Sequence, residues 1–286
     1  MIAIVLAGLS GLVWGTGDFA GGKASQKAPA LDTVVLSKAA SLPVLGLYLL
    51  MVPGTLRTAT FGWGLVAGVC GVLGMIIFYR ALAGGAMAIV APVSAVTSAL
   101  VPLVIGLLTE RLPGPLALVG AGCAIVAIGL VSLAPSRAGS TINARLVLMA
   151  LASGSGFGLF FVFLNKAGDA AGGHAGLWPV LGAHTASLIL GGTLMLHRRM
   201  RGEREPVLPR GGTLAWTIGA GVLDMTANVL YLLAVQGGLL SIVAPIASLY
   251  PVTTVLLAML VDRERVRPIQ LAGLGLAATA LVLVAS

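Results

Sequence analysis

Ile89-Val90-Ala91-Pro92 recurs in this chain as Ile242-Val243-Ala244-Pro245. Ala81-Leu82-Ala83-Gly84-Gly85 stands before the first copy, and Ala234-Val235-Gln236-Gly237-Gly238 stands before the second at the same spacing. Each copy follows a Gly-Gly turn and opens a long apolar run. Proline has no amide donor and bends a helix. A duplicated Pro in a duplicated apolar run therefore points to a duplicated bundle of membrane helices.

Composition sets the solvent. The 286 residues are 58% hydrophobic and 9% charged, where soluble domains average about 25% charged. A chain of this length cannot hide so much apolar surface in water, so it is read as an integral membrane protein. Forty glycines fit close helix approach in lipid. The net charge of +8 is assigned to membrane orientation and anionic headgroups, not to nucleic acid. Cys70 and Cys123 both lie in apolar runs and read as small hydrophobes. The first apolar run has no basic segment before it and reads as a retained span, not a cleaved signal.

A spanning helix needs about 20 apolar residues. On that ruler ten spans are expected, near 2–22, 31–51, 61–83, 87–108, 114–134, 144–166, 175–197, 212–234, 240–260 and 267–285. The fold class is therefore an all-α membrane protein of ten transmembrane helices in two inverted five-helix repeats. Residues 1–134 form the first repeat, 135–143 a linker and 144–286 the second. An odd number of spans per half forces opposite orientations, and carriers of that plan bind substrate near the midplane between repeats. Trp14-Gly15 and Lys23 match Phe157-Gly158 and Lys166, and Glu110-Arg111 matches Glu264-Arg265.

An early Trp-Gly, a Pro in spans four and nine, and Glu-Arg after each resemble the EamA branch of the drug/metabolite transporter superfamily. The resemblance covers essentially the whole chain. It implies transport of small metabolites or drugs, often outward, through a cavity lined by spans one, three, four, six, eight and nine. It does not fix the substrate.

Ionisable residues inside spans are costly and each needs a reason. Asp18 follows Trp14-Gly15-Thr16-Gly17 in the first span. Asp224, Asn228 and Tyr231 share one face of the eighth. Asp18 and Asp224 are expected to line the cavity, where one holds a substrate cation or a coupling proton, since a poorly solvated carboxylate can exchange one. For Asp18 the structural alternative is an ion pair with Lys38; Asp224 has no evident partner in the sequence. Trp14, Tyr79, Phe157, Tyr231 and Tyr250 either stack on a ligand or pack helices. Trp63, Trp178 and Trp216 fall near span ends, as interfacial tryptophans do. Pro92 and Pro245 are expected to act as hinges or gates, with a static kink as the alternative.

No HExxH, GxSxG or clustered carboxylate motif marks an enzyme. The spacing of His174, His184 and His197 does not suggest a metal site, and no cofactor is expected. The function expected is a secondary active transporter, with an exporter ahead of an importer or facilitator of a small polar metabolite. The expected partners are a small-molecule substrate, protons and the bilayer, and the chain is expected to act as a monomer or homodimer. The basic loops hold Lys23, Lys27, Arg198, Arg199, Arg201 and Arg204, whereas the opposite loops hold only Arg57, Arg111 and Lys166. By the positive-inside rule both termini lie outside the cell (inner) membrane.

Overall fold

Apolar side chains cover the outside of this protein. Leu50 is 87% exposed, Leu260 76%, and Leu148 and Ile189 63% each. In water such a surface would aggregate, whereas in lipid it is the solvated face. The computed structural model describes residues 2–52, 54–84, 87–109, 115–133, 144–170, 176–202, 209–237, 247, 250–263 and 268–284.

The described residues are nearly all helical, because lipid leaves backbone groups no partner outside their own segment. The helices are α1 (Ile2–Ser25), α2 (Ala30–Ala40), α3 (Leu42–Met51), α4 (Thr58–Leu82), α5 (Met87–Thr109), α6 (Pro115–Leu133), α7 (Ala144–Ala170), α8 (Trp178–Met200), α9 (Gly212–Gly237), α10 (Tyr250–Val261) and α11 (Pro268–Val284). Among the described residues six are long and apolar enough to cross a membrane, counting Ala30–Met51 as one, and shorter apolar stretches run over Ile89–Ser98 in α5, Tyr250–Val261 and Leu271–Ala280 in α11.

The stretch expected as one span over 31–51 is divided. Ser41 ends α2, and α3 restarts with Pro43 in its first turn. Pro43 has no N–H to offer the preceding turn, so the helix breaks there. Of the two IVAP copies, Pro92 lies buried inside the uninterrupted helix α5. Pro245, like the linker 135–143 and both Glu-Arg pairs, lies outside the described residues.

Packing sets where a site can form. α1 lies along α9 and α10; α4 lies along α7 and α8; α5 lies along α7, α2 along α8 and α9, and α6 along α11. The main core gathers Phe19 of α1, Val34 of α2, Val72, Phe78 and Leu82 of α4, and Val90 of α5. Missing side chains allow two of the closest crossings. Gly68 of α4 abuts the Ala183 backbone of α8, and Gly221 of α9 abuts the Ser37 backbone of α2. A third lies between α1 and α10, where Thr254 donates to the Gly15 carbonyl at 3.1 Å. At one end of that seam Lys23 pairs with Asp262 at 2.6 Å.

Candidate functional site

Asp18 stands four residues after Trp14 and so shares its face of α1. One residue earlier, Gly17 lets α1 close on Leu223 and Asp224 of α9. The two acidic residues singled out in the sequence thus lie at one helix crossing. Asp18 is within electrostatic range of both Asp224 and Lys38.

Lys38 makes the ion pair expected as one alternative for Asp18, but it makes it with Asp224. Its Nζ lies 2.7 Å from Asp224 Oδ2, with the two side chains 14% and 19% exposed. The close approach of Gly221 to Ser37 explains the choice. It brings α2 onto α9, so Lys38, one residue beyond Ser37, reaches the acid on α9. Asn228 donates its Nδ2 to the Asp224 carbonyl at 2.7 Å, one turn along the shared face. Among the described residues, Asp18 has no hydrogen bond or ion pair of its own. With all three groups ionised, the cluster of two carboxylates and one ammonium is one positive charge short of neutrality.

Below Asp18 on the same face lies a group of aromatic rings. Trp14 meets Tyr231 at 5.5 Å, Phe161 at 6.2 Å and Tyr250 at 6.3 Å between centroids. Phe161 also meets Tyr231 at 6.3 Å. These rings come from α1, α7, α9 and α10 and present both π-faces and phenols. Phe157 does not join them. It packs on Phe78 at 5.6 Å, beside the core, and Phe161 one turn on takes the place expected for it. Tyr79 is fully buried against Gly21, and its hydroxyl has no hydrogen-bond partner among the described residues. It too lies within electrostatic range of Asp18 and Asp224.

Three contributors were not named as site residues from the sequence. Ser98 of α5 lies against the Tyr250 phenol of α10. Phe161 sits at helical spacing from Phe157, and that spacing was its only signal. His184 of α8 is 4% exposed, and its Nε2 lies 2.7 Å from the Lys38 carbonyl and 3.1 Å from Ser41 Oγ. In the sequence it stands out only beside His174, which lies outside the described residues, and His197, which is exposed at the end of α8.

The arrangement can hold a small cation or dipole between the Asp18 carboxylate, unpaired among the described residues, and aromatic faces, with a second carboxylate neutralised by lysine. Nothing in it resembles an activated nucleophile. The model of the EamA-like transporter family matches residues 144–286. A solved structure described as "Crystal structure of protein" superposes with a TM-score of 0.62 at 16% identity, covering 98% of this chain and 95% of that one. At that identity the likeness concerns the fold alone. No curated protein matches the sequence. The chain belongs to the EamA-like transporter family, within the drug/metabolite transporter superfamily. It is a multi-pass membrane protein with the apolar helices and the family of a small-molecule transporter.

Proposed function

We propose that this protein is a secondary active exporter of small cationic or zwitterionic metabolites or drugs. It works by alternating access between two inverted five-helix repeats, with a proton as the candidate coupling ion. The observation that carries the reading is Asp18, an acid without a partner among the described residues, placed beside the Lys38–Asp224 pair. An ionisable group is expensive at membrane depth unless a ligand or a partner compensates it. Lys38 compensates Asp224, and the substrate or a proton compensates Asp18. The ring group of Trp14, Phe161, Tyr231 and Tyr250 supplies the apolar half of the same site.

The repeat reading is supported by helix contacts that recur when the halves are exchanged. α1 on α9 corresponds to α7 on α4, α1 on α10 to α7 on α5, and α2 on α9 to α8 on α4. The glycine crossings correspond as well, Gly68 on Ala183 and Gly221 on Ser37. Trp63 and Trp216 stand at the spacing that separates Ala81 from Ala234, and each carries a phenylalanine neighbour: Phe163 at 5.8 Å and Phe19 at 6.1 Å. The family model starts at residue 144, where the second repeat is expected to begin. In this reading Pro92 and Pro245 bend the helices that rock around the site. Both termini lie outside the inner membrane, as the basic-loop asymmetry requires.

The site reading is tested by transport of cells expressing Asp18→Asn or Asp224→Asn at matched levels. Both variants are expected to lose at least about tenfold in efflux, the scale of one lost charge-assisted contact in a shielded site. Wild-type efflux with wild-type pH dependence in both variants contradicts it.

A further inference from the structure

The break between α2 and α3 puts an unusual load on one carbonyl. Two side chains converge on the oxygen of Lys38. Ser41 donates its hydroxyl at 2.9 Å, and His184 approaches through Nε2 at 2.7 Å. A carbonyl only accepts, so Nε2 carries the proton and the ring is the Nε2–H tautomer. The Ser41 hydroxyl has already given its proton to Lys38, so its oxygen accepts from the same N–H at 3.1 Å. The three groups form a closed knot across the α2–α8 contact, buried where Pro43 breaks the backbone ladder. Side chains of this kind satisfy backbone groups beside a helix break at membrane depth.

The residue so gripped is the one whose ammonium reaches Asp224. Lys38 stands between two acids, pairing directly with Asp224 while within range of Asp18. A lysine stem has four rotatable carbons, so fixing its backbone end decides which acid it can serve. The glycine crossings add a second, independent observation. Ala183 meets Gly68 as Ser37 meets Gly221, so the next residues, His184 and Lys38, hold corresponding places in the two halves. The pair that touches across the α2–α8 contact thus joins one residue from each half.

We propose that His184 is a positioning residue. Its Nε2–H bond to the Lys38 carbonyl commits the Lys38 ammonium to Asp224 and so leaves Asp18 free for its ligand. The functional meaning of a free Asp18 rests on the transport reading above. The positioning itself does not, and it is measured without substrate.

The test is acylation of lysines by acetic anhydride on the full-length protein in lipid nanodiscs, read by mass spectrometry, with Lys23 and Lys166 as references in the same molecule. Lys38 in the wild type is expected to react slowly, because it is shielded and held against a carboxylate. Asp224→Asn sets the value for a released Lys38. His184→Ala is expected to speed Lys38 acylation roughly fivefold, which corresponds to about 1 kcal/mol of lost restraint. His184→Gln, whose amide N–H has similar reach, is expected to restore the slow rate. An unchanged Lys38 rate in His184→Ala overturns the proposal. So does a His184→Gln variant that reacts like His184→Ala with unchanged references, since burial without the donated bond would then account for the residue. A rise at Lys23 and Lys166 equal to that at Lys38 also overturns it, because His184 would then hold the whole fold. Loss of efflux in Asp18→Asn with a positive acylation result supports both readings, and wild-type efflux there removes the transport reading alone.

Discussion

Asp224→Ala, with Lys38 retained, is expected to lower the stability of this protein by about 3 kcal/mol, the low end for an ion pair broken on one side. The low end applies because the side chains keep 14% and 19% exposure, so some solvent reaches them. The cost comes from the charge left behind. Lys38 would retain its ammonium at a helix crossing, within range of Asp18 but without its paired acid. Lys38→Met is expected to destabilise for the mirror reason, leaving Asp18 and Asp224 as like charges with no cation between them. The double variant Lys38→Met/Asp224→Ala removes both charges and is expected to recover much of the loss, a coupling of about 1–3 kcal/mol in a double-mutant cycle. Thermal unfolding in detergent measures all four proteins. Stability and transport should separate in the double variant, which regains its melting temperature but not its efflux. Additive single effects would show that the pair does not act as a unit.

The second large effect concerns glycines chosen by what faces them. Gly68→Ala and Gly221→Ala each place a methyl group inside the backbone of a neighbouring helix, Ala183 on α8 and Ser37 on α2. Backbone cannot swing aside as a side-chain tip can, so the helices must separate. Overpacking typically costs about 1–3 kcal/mol and more where nothing yields. Both variants are therefore expected to fall to low yield of folded protein. Gly62→Ala and Gly219→Ala are the matched controls on the same two helices. Nothing lies within 4 Å of a methyl group at either. Both are expected to be neutral or up to about 1 kcal/mol more stable, from helix propensity alone. Fluorescence-detected size exclusion after heating ranks the four variants, and equal behaviour would contradict the close crossings of α4 on α8 and α9 on α2.

These crossings explain what could and could not be read in the sequence. Membrane class, helices and the α1–α9 acids were legible because composition and the cost of a buried charge act within one segment. Asp18 and Asp224 stand out in the sequence as exceptions to lipid solubility, and they lie at one helix crossing within electrostatic range. The choice of Lys38 between them was not legible. It depends on Gly221 admitting the Ser37 backbone, a contact between helices far apart in sequence. Phe157 and Phe161 differ by one helical turn, and only the packing of α7 against α4 decides that the first enters the core and the second meets Trp14. His184 was hidden by its type. Histidine suggests a metal or a switch, whereas here its N–H serves the Lys38 carbonyl beside the α2–α3 break in another helix. The IVAP duplication is the most visible feature of the sequence, yet the charged cluster sits on α1, α2 and α9, whereas Pro92 sits on α5.

The role proposed for Asp18, the ligand-binding acid of a carrier, is open to a direct flux measurement in proteoliposomes containing purified protein, with labelled phenethylamine as an apolar cation and labelled phenylalanine as its zwitterionic counterpart. Saturable, proton-gradient-dependent uptake of at least one probe is expected for the wild type, and its loss is expected in Asp18→Asn at unchanged melting temperature. Uptake by Asp18→Asn equal to the wild type, with the same gradient dependence, would contradict it.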